Sequence, residues 1–275
     1  MAKKIFPDIL KDPSITPLQS NLNDADSGEV FLVEDRGRRY KLRICDDVAQ
    51  ARYIESNIMK VRSKGVMTHY IGRQGRNLLF EYIPGRDLRK DEDCDTVYKV
   101  GQIVGRVHAI KVQRPSDPDA KFHRSLNYLI DQELLDQEDK KKIEENFHRL
   151  KPEGKTEYSM DIQDINPSNF RKGDDGQVHL VDEENVIPNL KGYGFIKPFL
   201  HWFKDEHKRS FLEGYRSVAD DSFFDDRFRQ FVQLNYLVIH ASKLHKKKRP
   251  CNKDLGWLRN LLEETEQQYK VGHRR

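Results

Sequence analysis

The sequence has few cysteines, little net charge and no long apolar run. Cys45, Cys94 and Cys251 are far apart and include no Cys-x-x-Cys pair, so they lack the spacing of a zinc site or a redox pair. A formal net charge of +4 provides no field strong enough to indicate a nucleic-acid or membrane surface as partner. No segment approaches the ~18 apolar residues of a membrane span, and charges interrupt any signal-peptide core near the start. We therefore expect a cytoplasmic protein that binds neither nucleic acid nor membrane.

The chain does contain enough apolar material for a folded core beneath a heavily charged surface. Its 275 residues are 36% hydrophobic and include 14 Phe, 11 Tyr and 2 Trp, which is too much for a disordered chain. Charged residues make up 34%, above the roughly 25% of ordinary domains. A chain of this length accommodates one large domain or two lobes.

The first third of the chain is rich in strand signals and carries two cations on one predicted strand. Residues 29–44 predict a β-hairpin. In its second strand, the period-2 alternation places Lys41 and Arg43 on one face and Leu42 and Ile44 on the other. Two positive charges therefore project from the same side of a small sheet.

A helix and a second hairpin follow this first hairpin. Apolar residues recur at helical spacing between a capping aspartate and the stop signal Gly65, and Glu55 lies beside their stripe. The second hairpin turns at residues 74–75 and ends before a Pro-Gly pair. The charged stretch at residues 86–95 is then the predicted border between two lobes.

Beyond about residue 96 the apolar periodicity becomes helical, with one β interruption. The first helix carries an apolar stripe, which His108 follows as a predicted packing histidine. A strand near residues 157–162 precedes a loop, and a hairpin then joins residues 169–171 to residues 178–182. Further helices are predicted at residues 132–150, 204–217, 225–247 and 254–269.

The most informative residues lie in this interruption. Asp164 and Asn169 belong to the loop, and Asp182 ends the second strand of the hairpin that follows. Phosphoryl transfer from a nucleotide requires a base that orients a hydroxyl, together with hard oxygen ligands that hold Mg²⁺ on the phosphates. Asp164 suits the first task, and Asn169 and Asp182 suit the second.

These residues resemble motifs of the aminoglycoside phosphotransferase and choline kinase-like family, relatives of the protein kinases. Asp164-x-x-x-x-Asn169 resembles the catalytic loop of that family, and residues 181–184 resemble its metal-binding strand end. Residues 40–44 are similar to the strand with the phosphate-binding cation, and residues 79–85 are similar to the hinge between the lobes. The resemblance spans most of the chain, with its features in the family's order.

The resemblance implies an α+β, bilobal protein kinase-like fold. A small antiparallel-sheet N-lobe that covers the nucleotide would comprise residues 1–83, and a larger, mainly helical C-lobe would comprise residues 84–275. The implied activity is ATP- and Mg²⁺-dependent phosphorylation of a hydroxyl group on a small polar molecule of the aminoglycoside, sugar or amino-alcohol type. The implied partners are a nucleotide and this small-molecule substrate.

The resemblance also implies roles for individual residues. Asp164 would orient or deprotonate the acceptor hydroxyl, and Asn169 and Asp182 would bind Mg²⁺. Arg43 would hold the α- and β-phosphates, with Glu55 fixing its rotamer. The alignment of this strand also allows Lys41 in that role. The hinge would hydrogen-bond adenine through backbone groups of Glu81, Tyr82 and Ile83.

Two departures from the family pattern keep other functions open. Ile162 stands where the family usually has a histidine, and residues 20–27 contain no glycine, which leaves Gly28 to approach phosphate. A pseudokinase that binds nucleotide as a scaffold is therefore an alternative, as is a kinase for protein or for a cell-envelope sugar. Acidic residues such as Asp205 and Glu206 would suit a cationic acceptor or lie on the surface. The sequence leaves open the acceptor, the choice of ATP or GTP, and the oligomeric state.

Overall fold

The computed structural model describes residues 6–18, 29–152 and 157–272. The strands are β1 (Ser14–Pro17), β2 (Glu29–Asp35), β3 (Arg38–Ile44), β4 (Tyr70–Gln74), β5 (Asn77–Glu81), β6 (Gly85–Asp87), β7 (Tyr158–Ile162), β8 (Phe170–Gly173), β9 (Val178–Leu180) and β10 (Val186–Leu190). The helices are α1 (Val48–Arg62), α2 (Cys94–His108), α3 (Ala120–Asp131), α4 (Gln137–Leu150), α5 (Ile196–His201), α6 (Asp205–Arg216), α7 (Asp226–Lys246) and α8 (Asn252–Gly272). Within the described ranges, no helix combines the length and the apolarity that crossing a bilayer requires.

The N-terminal part is a five-stranded antiparallel sheet in the order β1-β2-β3-β5-β4. Both predicted hairpins are present. The first turns at Arg36 and Gly37, whose φ angles of 51° and 75° are in the left-handed region that glycine adopts without strain. The predicted helix is α1. It begins after Asp47, whose carboxylate accepts a hydrogen bond from the Gln50 N–H at 2.7 Å.

Apolar residues cover both faces of this sheet. Leu42 is buried in a small cluster on one face with Phe6, Leu10, Val33, Tyr40 and Leu79. The other face packs against α1, whose apolar stripe belongs to the main core. Lys41 and Arg43 project from the side opposite Leu42, as the alternation predicts. Their charges therefore point toward the C-terminal part of the chain.

The helical part is built on a very close contact between α2 and α6. A Cβ atom at Gly101 would lie 2.1 Å from the backbone oxygen of Phe211, so only glycine allows this approach. A second core, separate from the first, joins α3, α4, α7 and α8. Sequence periodicity predicts α4, α6, α7 and α8 but not α3, and α4 begins at Gln137 rather than at residue 132.

Two small sheets lie between these parts of the chain. Strands β6, β8 and β9 form one of them, and β7 pairs with β10 in the other. The hairpin β8–β9 is the one that the sequence predicts, whereas β6 and β10 are not predicted. Because β7 leads into the loop at residues 163–166 and β9 ends just before Asp182, these sheets bring the two predicted motifs together.

Candidate active site

The loop after β7 is held in shape by its own polar side chains. Asn166 caps a short 3₁₀ turn formed by residues 167–169, which begins with a proline. The Asn169 side-chain amide then donates a hydrogen bond to the backbone oxygen of Asp164 at 2.9 Å. This bond closes the loop and leaves the side-chain oxygen of Asn169 able to coordinate a metal ion.

Asp182 is attached to this loop through the backbone. The Val181 N–H donates to the backbone oxygen of Asn169 at 2.9 Å. Burial raises the pKa of Asp182, and the neighbouring Glu183 charge raises it further, whereas Lys41 and Arg43 lower it. The structure thus brings the loop and the strand end together through the backbone, while the Asp182 carboxylate accepts a hydrogen bond from the Asn185 side-chain amide.

Buried ion pairs join the N-terminal sheet to the segment that follows Asp182. The Lys41 ammonium lies 2.7 Å from Glu183 Oε2 and donates to the backbone oxygen of Val181 at 2.6 Å. Arg43 pairs with Glu183 at 3.3 Å and also with Glu184. Burial by itself raises the Glu183 pKa, but the charges of Lys41 and Arg43 outweigh it and hold that pKa at about 2.

Glu55 is not the partner of Arg43, and this expectation from the resemblance is wrong. Its carboxylate accepts hydrogen bonds from the Tyr70 hydroxyl at 2.7 Å and from Arg73 Nε at 2.6 Å. Glu55 lies at the edge of the buried stripe of α1, and from there its side chain reaches β4 rather than β3. Glu183 takes the expected role, although its position directly after Asp182 gives no local indication of it.

A cavity of about 450 Å³ opens at the predicted hinge. It is lined by Thr68, His69, residues 81–84, residues 173–175 and His179. The N–H groups of Glu81 and Tyr82 are already bonded to backbone oxygens of His69 and Arg39, at 2.8 and 3.0 Å. Among the described residues, the Ile83 N–H has no such partner, so it is available to a molecule in the cavity. The predicted glycine-poor loop before β2 falls outside the described residues.

The carboxylate of Asp164 has a partner that sequence reasoning missed. Lys197, in the first turn of α5, places its ammonium 2.5 Å from Asp164 Oδ1. Their side chains are 20% and 30% exposed, so the pair lies at the surface of the site. Nearby, the Trp202 indole N–H donates to the backbone oxygen of Ile165 at 3.1 Å, fixing the end of α5 against the loop.

No cluster of three or more His, Cys, Asp or Glu side chains in the described ranges is arranged to hold a metal ion by itself. Asn169 and Asp182 instead supply one amide oxygen and one carboxylate. Oxygen donors of this kind match the preference of Mg²⁺, which in nucleotide sites is completed by phosphate oxygens and water. The two side chains therefore fit a metal that arrives with a nucleotide.

Comparison with known proteins gives matches in structure but not in sequence. No protein-family model matches the chain, and no curated protein matches it. Choline kinase from Streptococcus pneumoniae is 13% identical with a TM-score of 0.64, covering 95% of this chain and 96% of that chain. Ethanolamine kinase from Plasmodium vivax is 14% identical with a TM-score of 0.60, covering 88% and 77%. Spectinomycin phosphotransferase, solved with ADP and spectinomycin, is 11% identical with a TM-score of 0.60, covering 90% and 91%.

Proposed function

We propose that the chain is an ATP- and Mg²⁺-dependent phosphotransferase that acts on a hydroxyl group of a small polar molecule. The bilobal, protein kinase-like fold that the chain shares with these phosphotransferases supports this proposal. The observation that carries this proposal is the pair of hydrogen bonds that join Asn169 to Asp164 and to Val181, the residue before Asp182. The lobe division at residues 83 and 84 belongs to the same proposal.

Asp164 would accept a hydrogen bond from the acceptor hydroxyl and thereby orient the hydroxyl oxygen toward the γ-phosphate. Asn169 and Asp182 would hold Mg²⁺, which when bound compensates the charge of the phosphates. The raised pKa of Asp182 supports this role, because desolvation and the neighbouring Glu183 charge both disfavour its anionic form, and a nearby cation would relieve this.

The hinge cavity would take the adenine, with the Ile83 N–H as a donor that has no backbone partner in the described part of the chain. Lys41 lies opposite Phe80, next to the hinge, whereas Arg43 lies opposite Leu78, two residues further from it. Two strand residues span about 7 Å. We therefore assign the phosphates to Arg43 and the region over the base to Lys41.

The structural neighbours support a small-molecule acceptor, since their names describe kinases for choline, ethanolamine and an antibiotic. The proposed use of ATP, which is abundant in the cytoplasm, supports a cytoplasmic location. Cys45, Cys94 and Cys251 all have free thiols, which agrees with a reducing compartment.

A mass-spectrometric screen tests the proposal directly. The chain is incubated with Mg²⁺-ATP and a pool of polar metabolites, and the pool is searched for compounds that gain one phosphoryl group. Asp164→Ala should abolish every such gain. Asp226→Ala is the matched control, because it removes a carboxylate whose side chain is 91% exposed on α7. Gains that persist in Asp164→Ala would refute the assignment of the catalytic residue.

A pseudokinase is the second candidate, because Ile162 replaces the expected histidine and Lys197 ties up Asp164. It predicts that Mg²⁺-ATP raises the melting temperature while no acceptor gains phosphate.

Arg43→Ala and Lys41→Ala, tested in the same thermal assay, separate the two cations. Under our assignment, Arg43→Ala should reduce the rise in melting temperature caused by ATP more than the rise caused by adenosine. A kinase for protein or for cell-envelope sugars would phosphorylate casein or those sugars instead of the polar metabolites in the pool.

A further inference from the structure

The wall of the site beyond Asp164 is positively charged. Two ammonium groups, those of Lys197 and Lys90, lie 5.4 and 5.3 Å from the centre of the Trp202 ring. The ring itself is fixed, because its N–H is bonded to the loop that contains Asp164. Lys90 comes from the segment after β6, so it approaches Trp202 from a different part of the chain. Among the described residues, the ion-pair partner of Lys197 is Asp164.

The same wall continues along the start of α8. The His201 ring contacts Trp257 with a centroid distance of 4.8 Å, and Lys253 lies 4.5 Å from the centre of the Trp257 ring. Burial lowers the pKa of His201 to about 4, which leaves this imidazole neutral at pH 7. The surface next to Asp164 therefore includes two indole rings, each with a lysine ammonium group close to it.

The carboxylates close to this wall do not reverse its charge. Asp254 is 3% exposed and pairs with His240 at 2.8 Å, so it does not face an incoming ligand. Asp205, at the start of α6, has a side chain that is 92% exposed and pairs with Lys208 at 3.1 Å. For Asp205, the structure therefore agrees with the second alternative from the sequence, a carboxylate at the surface.

We propose that the acceptor carries an anionic group, a phosphate or a carboxylate, near the hydroxyl that becomes phosphorylated. This inference rests on the proposed phosphotransferase function. Lys90 and Lys197 bind the anionic group beside Trp202 while the hydroxyl meets Asp164. Choline and ethanolamine are cations at neutral pH and would be repelled by the same two ammonium groups. The chain thus differs in acceptor charge from the kinases that its fold resembles.

The test compares hydroxyl compounds of matched size and different charge. Glucose 1-phosphate and gluconate represent the two anionic sources, glucose is neutral, and glucosamine, ethanolamine and choline are cationic. Transfer from Mg²⁺-ATP is followed by ³¹P NMR. Binding to the chain saturated with ADP and Mg²⁺ is measured by calorimetry. We expect binding and transfer within the anionic group only, and the phosphate and carboxylate arms identify which anion is preferred.

Lys90→Ala supplies the residue-level test, with Lys141→Ala as control because that side chain is 78% exposed on α4. Lys90→Ala should raise KM for the anionic acceptor about fivefold, the upper end for an exposed ion pair, with a smaller change in kcat. Raising the salt concentration should likewise raise the KM of the parent chain for the anionic acceptor.

Three outcomes would overturn the inference, and they are separable from failure of the proposed function. Transfer to an amine in preference to the anions refutes the acceptor class while leaving the kinase activity established. An unchanged KM in Lys90→Ala refutes the site. Absence of calorimetric binding by every anionic compound refutes the anion subsite even where no transfer occurs. Loss of all Asp164-dependent transfer, with anion binding intact, refutes the kinase proposal instead.

Discussion

Replacing Glu183 by glutamine is the sharpest test of the contact between the N-terminal sheet and the segment after Asp182. The Glu183 side chain is fully buried, and its two oxygens pair with Lys41 and Arg43. Removing one partner of a buried ion pair costs about 3–5 kcal/mol, because the remaining charge keeps its desolvation penalty. We expect the free energy of unfolding to fall by about 3 kcal/mol, since the Lys41 side chain is 17% exposed and Arg43 keeps Glu184 as a partner.

This loss of stability converts into a measurable melting shift. The entropy of unfolding scales with chain length, so each kcal/mol lowers the Tm of a chain of this size by about 2 °C. Glu183→Gln should therefore lower the Tm by about 6 °C, measured by differential scanning calorimetry at pH 7. Glu184→Gln is the control. It breaks one pair with a 26% exposed side chain, and it should cost about 1 kcal/mol or less.

A double variant shows whether the loss comes from the ion pair itself. Lys41→Gln combined with Glu183→Gln leaves fewer uncompensated charges, so its loss should be smaller than the sum of the two single losses. Additive losses would contradict the coupling of the two charges. A Tm for Glu183→Gln within 2 °C of the parent would refute the whole argument.

The remaining predictions concern positions away from the site. The hydrogen bond that the Asp93 carboxylate accepts from the Thr96 N–H is the main cause that lowers the pKa of Asp93 to about 2, and burial opposes this shift. Asp93 is the N-cap of α2. Its contribution to the stability of the folded chain is therefore complete above about pH 4, and it is lost as the pH falls toward 2. The Tm difference between Asp93→Ala and the parent, measured against pH, should narrow over that interval, and a constant difference would contradict it. Gly101→Ala should destabilise the chain by about 3 kcal/mol in urea unfolding because its Cβ meets backbone. Gly256→Ala, in open space on α8, should instead stabilise it by about 0.5–1 kcal/mol; equal effects at both glycines would refute this.

Local patterns were sufficient to predict much of the architecture. The hairpin β2–β3 and helix α1 follow from alternation, capping and helical periodicity, which depend on residues close in sequence. Helix α5 was missed because six residues, one of them Pro198, are too few for a periodic signal. Strand β10 was missed because Pro188 interrupts it, and it is recognisable only through its pairing with β7.

Pairings between side chains were harder to predict than the elements that carry them. Spacing predicted a site at Asp164, Asn169 and Asp182, and in the structure Asn169 is hydrogen-bonded both to Asp164 and to Val181, the residue before Asp182. The partner of Asp164 is 33 residues away on α5, and that of Lys41 is 142 residues away. Such distant partners are selected by tertiary packing, and no local pattern encodes them.

The absence of histidine at position 162 bears on whether the chain is active. Ile162 is fully buried in the core, and the residue before it, Asp161, accepts a hydrogen bond from His108 Nε2 at 2.7 Å. The Gly194 N–H donates to the other oxygen of Asp161 at 3.0 Å. The start of the loop that contains Asp164 is thus fixed from both sides by buried hydrogen bonds, with an imidazole supplied by α2. Since the loop is anchored without histidine at 162, that substitution is a weak argument for a pseudokinase, and the engaged Asp164 carboxylate is the stronger one.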